Sequence, residues 1–345
     1  MKQITVLMSG GIDSFVSALI LKRKRYHVSG LHFVVNSKEL QLHIGNKKTI
    51  NEISKILQID IEIIDITKEF VSNVFEKTID TYKKGITPNP CIICNQTIKF
   101  GHFIKNVPHK QIATGHYVKL LKENNEIKLL APRDKLKDQR YFLYRVSPSI
   151  LQNCNFPLGI TKKSEVVNLA NTRAPQLFST DTYKASSDLC FLAHTHINKF
   201  LAKFIKSRPG KIIDLDSKRI LGKHTGLWKF TEGQRKGIQI GGVGPFFVHS
   251  KNIANDILYV TQHITKVKNC LIRFTKPKFL LKTYSHTKAF ACNIQTRYGA
   301  PKVQARINVN KCTIKTNQPT IASPGQSVVF YTKDDILIGG GIIVS

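Results

Sequence analysis

A six-residue run at residues 9–14 constrains the fold of this chain more than any other feature. The run has the sequence SGGIDS, follows an apolar stretch that predicts a buried strand (residues 4–8), and leads into a predicted helix (residues 13–25). Glycines let backbone N–H groups approach an anion, and the start of a helix adds partial positive charge. The run therefore predicts a phosphate-binding turn, with a plain strand-turn-helix joint capped by Ser9 as the alternative.

The side chains of this run suit phosphate and a metal ion. The hydroxyls of Ser9 and Ser14 can donate to phosphate oxygens, and Asp13 can help to hold Mg²⁺. The run contains no lysine and is not a Walker-type P-loop, and the chain has no GxGxxG motif.

The charge of the chain indicates its kind of partner. The 345 residues include 53 Lys and Arg against 22 Asp and Glu, which gives a net charge of +31. A Lys-rich compositional bias explains part of this excess. The remainder indicates a polyanionic partner, for which nucleic acid is the usual candidate.

The cysteines and the apolar runs argue against two classes of protein. Seven cysteines is an odd number in a long chain without a secretory segment, which disfavours a disulfide scaffold and favours reduced thiols. No apolar run is long enough to span a bilayer. We therefore expect a cytoplasmic protein with no membrane partner.

The sequence pattern changes near residue 207 and predicts a multidomain protein, α/β followed by all-β. Short apolar runs alternate with helical periodicity before this point, which predicts a doubly wound parallel sheet. The predicted strands are residues 4–8, 28–35, 61–65 and 111–114, and the predicted helices are residues 13–25, 47–57, 67–84 and 161–171. Dense glycine and proline then separate short β-branched runs, among them residues 257–261, 303–309, 327–331 and 342–344. The predicted domains are residues 1–207, 208–269 and 270–345.

Two cysteine segments are candidates for chemistry. Cys91 and Cys94 lie in TPNPCIICN (residues 87–95), and Cys190 lies in an apolar, strand-like stretch after a polar turn. A helix over residues 96–104 would put Cys94 in its first turn, where the helix dipole lowers a thiol pKa. Zinc or redox use of the CxxC pair, buried structural cysteines, and a catalytic pair of Cys94 with Cys190 stay open.

The run at residues 9–14 resembles the PP-loop of the N-type ATP pyrophosphatases. Further segments resemble the tRNA-specific 2-thiouridylases, in the family's order and over essentially the whole chain; they are residues 87–100, 113–117, 137–144, 188–192, 224–242, 296–298 and 324–343. The resemblance implies an N-terminal PP-loop ATP pyrophosphatase domain, which is adenine nucleotide α-hydrolase-like, then a small β-rich central domain and a C-terminal β-barrel.

The resemblance also implies a reaction. The family replaces the C2 oxygen of the wobble uridine in tRNAs of the Lys, Glu and Gln type by sulfur, using ATP and Mg²⁺ and releasing AMP and pyrophosphate. By resemblance, Cys190 carries a persulfide, Cys94 is the nucleophile, and the two form a transient disulfide. Asp13 with Mg²⁺ would offset phosphate charge. The implied partners are the tRNA anticodon loop and a cysteine desulfurase or sulfur-relay protein, with the chain acting as a monomer.

Contact residues follow from the same matching. Those implied for ATP are Met8, Ser9, Gly10, Gly11, Ile12, Asp13, Ser14, Phe15, Phe33 and Gly115. Those implied for the target base are Asn89, Pro90 and Cys91. Those implied for tRNA are His116, Lys137, Asp138, Gln139, Arg297, Tyr298 and Gln326.

Several departures from the family pattern indicate a divergent member, among them a shorter, less acidic stretch between Phe33 and Lys47 and the sequence GPFFV at residues 244–248. Cys91 stands where several members of the family have Asp, Phe15 where a second Ser often follows, and Glu232 where a small aliphatic residue is usual. Two other functions remain as alternatives: a PP-loop ligase that forms amide or C–N bonds on a small molecule, and a non-catalytic RNA-binding protein that keeps the fold.

Overall fold

The computed structural model describes residues 1–107, 111–123, 126–179, 189–192, 196–238, 240–241 and 244–345. The contacts divide the chain into two compact units. The first comprises Met1–Val74, Cys91–His194 and Asp335–Leu337, and the second comprises Phe75–Pro90, Thr195–Asp334 and Ile338–Ser345. Two of the segments that carry the family resemblance lie partly outside the described residues, namely residue 188 of the second cysteine segment and residues 239 and 242 of the segment 224–242. The predicted domain boundaries at residues 207 and 269 remain predictions.

The helices are α1 (Ile12–Arg23), α2 (Lys47–Leu57), α3 (Thr67–Phe70), α4 (Glu76–Lys83), α5 (Pro90–Cys94), α6 (Phe103–Asn106), α7 (Pro148–Leu151), α8 (Lys163–Arg173), α9 (Pro175–Phe178), α10 (Ile197–Leu201) and α11 (Ile264–Val267). The strands of the first unit are β1 (Gln3–Leu7), β2 (His27–Ser37), β3 (Leu42–Ile44), β4 (Ile61–Asp65), β5 (Ile112–Ala113), β6 (Lys119–Glu123), β7 (Glu126–Leu130) and β8 (Cys154–Asn155). Those that follow are β9 (Gly210–Asp214), β10 (Ile220–His224), β11 (Phe247–Asn252), β12 (Ile257–Thr261), β13 (Asn269–Arg273), β14 (Lys278–Phe279), β15 (Ala289–Gln295), β16 (Val303–Asn308), β17 (Thr313–Thr320), β18 (Ser327–Tyr331) and β19 (Leu337–Ile342).

The first unit is built on a parallel sheet with the strand order β4-β2-β1-β5-β8. The short strand β3 runs antiparallel to the end of β2. The chain starts in the middle of this sheet at β1, moves outward through β2 to β4, and then returns to the other side of β1 with β5. This order confirms the predicted doubly wound α/β fold.

The core of the first unit explains why its helices pack on the sheet. Ile4 and Val6 of β1 are buried together with Phe15 of α1, and each such side chain contributes about 1.5–3 kcal/mol when fully buried. Helix α2 buries only one face, and it begins at Asn46, whose side chain accepts from the N–H of Thr49 at 3.2 Å. Apolar spacing and a cap therefore define this helix, as the sequence predicted for residues 47–57.

The helix predicted over residues 67–84 is not continuous. Helix α3 passes into a π-helical turn, Val71–Phe75, before α4 begins. The prediction was correct in the type of element and wrong in its continuity, because apolar periodicity does not report an inserted residue. The hairpin of β6 and β7 was also missed, since β6 is charged and mostly exposed.

The second unit is all-β apart from short helices in the described residues. One sheet has the order β10-β9-β12-β11, and the other has the order β13-β17-β16-β15-β18-β19-β14. The second sheet closes on itself, because Arg273 at the end of β13 accepts from the N–H of Val344 (2.9 Å) and donates to the carbonyl oxygen of Ser345 (2.7 Å). Phe274 also forms a bridge to Ile343. The predicted C-terminal β-barrel is confirmed.

One strand was misplaced by the sequence pattern. The run at residues 342–344 was predicted to be a strand, but β19 is Leu337–Ile342. This strand includes glycines because β14 runs directly against it: a Cβ on Gly339 would lie 2.1 Å from the carbonyl oxygen of Lys278. Over the part of the chain that the structure describes, no helix combines the length and the hydropathy needed to cross a bilayer.

Candidate active site

The carboxyl ends of β1 and β5 lie side by side in the middle of the parallel sheet, where Val6 pairs with Ala113. The strand order reverses between these two strands. Ligands of open α/β sheets bind in the crevice at such a point. Residues 8–14 leave β1 here and residues 114–116 leave β5, so two segments predicted to form the site follow neighbouring strand ends.

The loop at residues 9–14 is shaped by its own hydroxyls. Ser9 Oγ and Ser14 Oγ lie 3.2 Å apart, and Ser14 Oγ donates to the carbonyl oxygen of Gly11 at 2.9 Å. Gly10 has a φ of +83°, which favours glycine. The helix cap is Gly11, not Ser9, and no side chain caps the first N–H groups of α1. The alternative of a helix capped by Ser9 is therefore wrong, and these N–H groups stay available to an anion.

Three of the residues predicted to contact ATP have side chains that belong to the core. Met8, Ile12 and Phe15 are buried, and the ring of Phe15 packs against Phe178 with centroids 5.1 Å apart. These residues can face a nucleotide only through their backbone. The Phe at position 15 therefore serves packing and adds no phosphate donor.

Asp13 is held by two residues from distant segments. Tyr117 Oη donates to Asp13 Oδ1 at 2.8 Å, and Lys163 Nζ donates to the same oxygen at 2.6 Å. Lys163 is the first residue of α8 and lies 150 positions further along the chain. The lysine that the loop lacks in sequence is supplied by the fold, and nothing in the local sequence pattern reveals it.

Gly115 lies directly against the loop. A Cβ at this position would be 2.8 Å from the carbonyl carbon of Asp13 and 3.0 Å from its Cβ. Carbon atoms cannot approach so closely without displacement, so glycine is required for the β5 end to pack on the loop. The structure thus places Gly115 where a nucleotide pocket was expected, and its contact with ATP stays a prediction.

Phe33 lies within β2, the strand that pairs with β1 and adjoins the start of the loop. Met8 N donates to the carbonyl oxygen of Leu31 at 2.8 Å. The Phe33 ring is half-buried between the rings of His102 (5.8 Å) and Phe103 (6.2 Å). Its side chain is therefore engaged in packing, which leaves the backbone for the predicted contact with adenine.

The loop suits a magnesium ion that arrives with a nucleotide. Among the described residues, no three His, Cys, Asp or Glu side chains are grouped to hold a metal ion. Magnesium in nucleotide sites usually takes one or two carboxylates, several waters and phosphate oxygens. The carboxylate of Asp13 and the hydroxyls of Ser9 and Ser14 fit this pattern, and Mg²⁺ there would neutralise charge on the phosphates.

A second group in the first unit contains three thiols and one ammonium. Helix α5 carries Cys91 and Cys94, the following turn carries Lys99, and Cys190 starts a short 3₁₀ turn. The three thiols and the ammonium interact electrostatically with one another. We call these four residues the thiol cluster. It unites the two cysteines that the sequence paired, and it adds Lys99, which the sequence analysis missed.

The environment of Cys94 contradicts the predicted low thiol pKa. Cys94 is the last residue of α5 and is 8% exposed, so it does not lie in the first turn of a helix at residues 96–104. Burial raises the pKa of Cys94 to about 12, and the nearby Lys99 only partly opposes that rise. Desolvation therefore outweighs any helix dipole.

Cys190 differs from its partner in exposure. It is open to solvent in the 3₁₀ turn Cys190–Leu192, not in the strand that the sequence predicted. Surrounding protein atoms still displace enough water to raise the pKa of the Cys190 thiol, while Lys99 acts in the opposite direction. An exposed thiol is the one that another protein can reach.

His116 connects the loop region with the thiol cluster. It follows Gly115, and its Nδ1 lies 2.8 Å from Thr114 Oγ1. Burial, together with the charge of Lys99, lowers the pKa of His116 to about 3. The imidazole is therefore neutral at physiological pH, and a contact with tRNA would be a hydrogen bond and not an ion pair.

Residues 137–139, which were predicted to contact tRNA, differ in their exposure to solvent. Lys137 is exposed. Asp138 instead accepts from the fully buried guanidinium of Arg140, with Oδ2 2.6 Å from Nη2. The same guanidinium pairs with Asp335 at 2.9 Å. Because its carboxylate is engaged, Asp138 orders this segment within the first unit.

Gln139 is tied to the residue that holds the loop. The side-chain Oε1 of Gln139 accepts from the backbone N–H of Tyr117 at 2.9 Å. The backbone N–H of Gln139 donates to the carbonyl oxygen of Tyr117 at 3.1 Å. Tyr117 in turn donates to Asp13. Gln139 thus supports the position of Asp13, and a direct contact with tRNA stays a prediction.

In the second unit, Gln326 positions the segment that leads to the predicted base contacts. Its Nε2 donates to the carbonyl oxygen of Thr87 at 2.9 Å. Asn89 and Pro90, predicted to touch the target base, follow two and three residues later, and Pro90 begins α5. The amide of Gln326 is therefore engaged with protein, and its contact with tRNA stays a prediction.

Arg297 and Tyr298 lie in the turn between β15 and β16 of the second unit. Both are exposed, and Gly299 beside them has a φ of +74°. An exposed arginine next to an exposed aromatic ring suits an unstacked nucleotide. Their predicted contact with tRNA is sterically possible and stays a prediction.

Comparison with known families agrees with this architecture. Residues 2–194 match the family model described as tRNA methyl transferase HUP domain. Residues 198–262 match tRNA methyl transferase PRC-barrel domain, and residues 269–343 match Aminomethyltransferase beta-barrel domain. The class is therefore a nucleotide-binding HUP domain of the PP-loop type followed by two β-barrel domains.

Curated relatives identify the family within that class. The chain is 34% identical to the tRNA-specific 2-thiouridylase MnmA of Pectobacterium carotovorum, covering 99% of this chain and 97% of that protein. It is 37% identical to the protein of the same name from Buchnera aphidicola subsp. Acyrthosiphon pisum, covering 100% and 97%. A solved U34-tRNA thiolase, NcsA from Methanococcus maripaludis, matches over 58% of this chain and 68% of that chain at 15% identity, with a TM-score of 0.36 that is too low to support an argument. The chain belongs to the tRNA-specific 2-thiouridylase family.

Proposed function

We propose that this protein is an ATP-dependent tRNA-uridine 2-sulfurtransferase, which converts the wobble uridine of tRNAs of the Lys, Glu and Gln type to 2-thiouridine and releases AMP and pyrophosphate. One observation carries the proposal. Asp13 of the loop packs on Gly115, the next residue is His116, and His116 interacts with Lys99 of the thiol cluster. A site for phosphate and a site for sulfur therefore adjoin each other within the first unit.

The loop supports activation of the C2 oxygen. That oxygen is a poor leaving group, and ATP supplies an adenylyl group that leaves as AMP. The N–H groups at the start of α1 would bind phosphate oxygens, and Lys163 would place positive charge beside them while it holds Asp13. Tyr117 fixes Asp13 from the buried side.

The thiol cluster supports delivery of sulfur. A donor protein, either a cysteine desulfurase or a sulfur-relay protein, would load a persulfide onto Cys190, which is exposed. The Cys94 thiolate attacks the Sγ of Cys190, the persulfide S–S bond breaks, and hydrosulfide leaves with its electron pair. Hydrosulfide then attacks C2 and displaces AMP. The resulting Cys94–Cys190 disulfide requires two electrons from a thiol reductant before the next cycle.

Charge and exposed residues support tRNA as the substrate. The net charge of +31 suits an RNA backbone, and Lys137, Arg297 and Tyr298 are exposed. The wobble base must leave its stack to reach a crevice at the end of a sheet, so the anticodon loop is the part of tRNA that fits. We further propose that the protein is a cytoplasmic monomer.

Three other functions have less support. Methyl transfer, which the family model's description names, needs neither a phosphate loop nor paired thiols. A small-molecule ligase needs no thiol cluster and no excess of positive charge. An RNA-binding protein without catalysis would not need Tyr117 and Lys163 to hold Asp13.

The decisive experiment is mass spectrometry of nucleosides from unmodified tRNA incubated with the protein, ATP, Mg²⁺, a cysteine desulfurase and cysteine. We expect 2-thiouridine that depends on ATP and is absent with Cys94→Ser or Cys190→Ser, while both variants still bind tRNA. The Cys270→Ser variant removes an exposed thiol outside the cluster and should behave as the wild type. A Cys190→Ser variant that still forms 2-thiouridine would refute the assigned sulfur carrier.

A further inference from the structure

The helical run that carries Cys94 contains a π-helical turn, Asn95–Lys99. Phe100 N donates to the carbonyl oxygen of Asn95, five residues earlier, at 3.1 Å. On an α-helix the residues that share a face are three and four apart. The wider i→i+5 register lets residues five apart share a face. Cys94 and Lys99 are five apart, so this turn brings the ammonium to the side of the buried thiol.

The π-helical turn is fixed by its neighbours. A Cβ on Gly101 would lie 2.7 Å from the carbonyl oxygens of both Gln96 and Thr97, so the chain leaves this turn in a way that needs glycine. Asn95 Nδ2 donates to the carbonyl oxygen of Phe142 at 3.1 Å and holds the start of the turn. The register that orients Lys99 is therefore built into the fold.

The groups that face Lys99 come from three segments. Cys91 and Cys94 belong to its own helical run, Cys190 belongs to the 3₁₀ turn, and His116 follows β5. None of the carboxylates among the described residues forms an ion pair with Lys99. His116 is neutral at physiological pH, so among the described residues the thiols are the acidic groups that act on this ammonium.

We propose that Lys99 is a positioning residue for sulfur transfer, which stabilises the thiolate of Cys94 opposite Cys190 and orients it through the π-helical turn. This role deepens the proposed function and rests on it. It does not require Lys99 to touch tRNA or ATP.

The physical need for such a residue follows from the burial of Cys94. A thiol attacks a persulfide only as thiolate, and burial raises the pKa of Cys94 to about 12. An adjacent cation offsets part of this rise. Burial alone would lower the pKa of Lys99, but the Coulomb interaction with the neighbouring thiols outweighs that effect and raises it as they ionise, so the charges of Lys99 and of the thiolates support each other.

Alkylation of the thiols tests this role without tRNA or a sulfur donor. The rates at Cys94 and Cys190 would be followed by peptide mass spectrometry from pH 6 to 10 with two reagents, neutral iodoacetamide and anionic iodoacetate. The variants would be Lys99→Met and Lys99→Arg. Lys55→Met removes an exposed lysine from α2 of the same unit and serves as the matched control.

We expect Lys99→Met to slow alkylation of both thiols about three- to tenfold at pH 8 and to move their pH profiles to higher pH. The ratio of iodoacetate to iodoacetamide rates should fall as well, because the cation that attracts the anionic reagent is gone. Lys99→Arg keeps the positive charge and should retain most of the wild-type alkylation rate and reagent ratio. Lys55→Met should match the wild type. Circular dichroism would establish that each variant is folded.

Unchanged pH profiles and an unchanged reagent ratio in folded Lys99→Met would overturn the proposal. If Lys99→Met failed to fold, Lys99→Gln would be measured in its place: profiles displaced to higher pH with a lower reagent ratio would support the proposal, and wild-type profiles with a wild-type ratio would overturn it. Failure of the proposed function is a separate result: the wild type would form no 2-thiouridine, whatever the alkylation data show.

Discussion

The loop at residues 9–14 and the thiol cluster belong to the same unit but are built differently. The loop is contiguous: residues 9–14 follow one strand, open one helix and hydrogen-bond to each other. The thiol cluster is assembled from separate segments that carry Cys94, Cys190 and Lys99. Local backbone geometry supplies positive potential in the loop, whereas burial in the cluster works against the charged form of its own thiols.

This difference teaches where each chemistry is encoded. Backbone N–H groups and a glycine turn bind an anion wherever the strand-turn-helix sequence occurs, because their geometry is local. A thiolate depends on the water and charge that the whole fold leaves around it. The loop can therefore be recognised in sequence, and the reactivity of Cys94 cannot.

The largest expected effect concerns the thiol cluster. Because burial raises the pKa of Cys94 from 9.0 to about 12, its thiolate fraction at pH 8 falls about 1,000-fold. Iodoacetamide should therefore alkylate Cys94 about 1,000-fold more slowly in the folded protein than in denaturant, as measured by peptide mass spectrometry. Cys270, which is exposed in the folded protein, serves as the reference thiol, and its rate should change far less. Equal rates for Cys94 in the folded and the denatured protein would mean that its reactivity is set by local sequence, as the geometry of the loop is.

The second effect separates the two regions by activity. Asp13→Asn should slow tRNA-dependent pyrophosphate release about 100- to 1,000-fold, because it weakens charge stabilisation at the phosphates. Cys94→Ser should leave this release within about twofold, since sulfur transfer comes later. Asp80→Asn, at an exposed site on α4, is the control. A large loss in Cys94→Ser would show that the two regions do not act in separate steps.

The third effect tests the contact that joins the strand ends. Gly115→Ala should lower the free energy of unfolding by about 1–3 kcal/mol and raise the KM for ATP, because the new Cβ would be 2.8 Å from the carbonyl carbon of Asp13. Urea denaturation and steady-state kinetics would measure the two changes. Gly222→Ala has no atom within 4 Å of its Cβ and should be nearly neutral. An unchanged free energy of unfolding and an unchanged KM in Gly115→Ala would show that the loop does not depend on its contact with the end of β5.

The smallest effect is on stability in alkali. Burial raises the pKa of Cys94 from 9.0 in the unfolded chain to about 12 in the folded chain. The contribution of this thiol to the free energy of unfolding is therefore complete below pH 9 and is lost as pH rises toward 12. Going from pH 8 to 10 should lower the free energy of unfolding by about 1.4 kcal/mol through this group. Over this range Cys94→Ala should lose less stability than the wild type. Cys270→Ala, which removes an exposed thiol, should lose as much stability as the wild type. Identical losses in all three proteins would contradict the burial of Cys94.

Much of the first unit could be predicted from sequence. Apolar runs located β1, β2 and β4, and helical periodicity located α1, α2 and α8. Those signals are local, since a strand or a helix buries one face or both within a few residues. The π-helical turns and the hairpin of β6 and β7 were missed, because an inserted residue or a charged strand has no distinctive periodicity.

The candidate site divides along the same line. The loop residues and the pair Cys94 and Cys190 were found from sequence by motif and resemblance. Tyr117, Lys163 and Lys99 were not, although the first two hold Asp13 and the third faces the thiols. Long-range partners leave no local pattern, and the predicted direction of the Cys94 pKa was wrong for the same reason.

The sequence by itself determined the doubly wound domain, the glycine turn at residues 9–14 and the β-rich second half, because each depends on residue type and on spacing along the chain. Family resemblance added the prediction that Cys94 and Cys190 are the reactive thiols. The tertiary structure alone decided which lysine supports Asp13, which cation faces the thiols, and that Cys94 is buried while Cys190 is exposed. The physical reason is that desolvation and Coulomb interactions depend on distance in space.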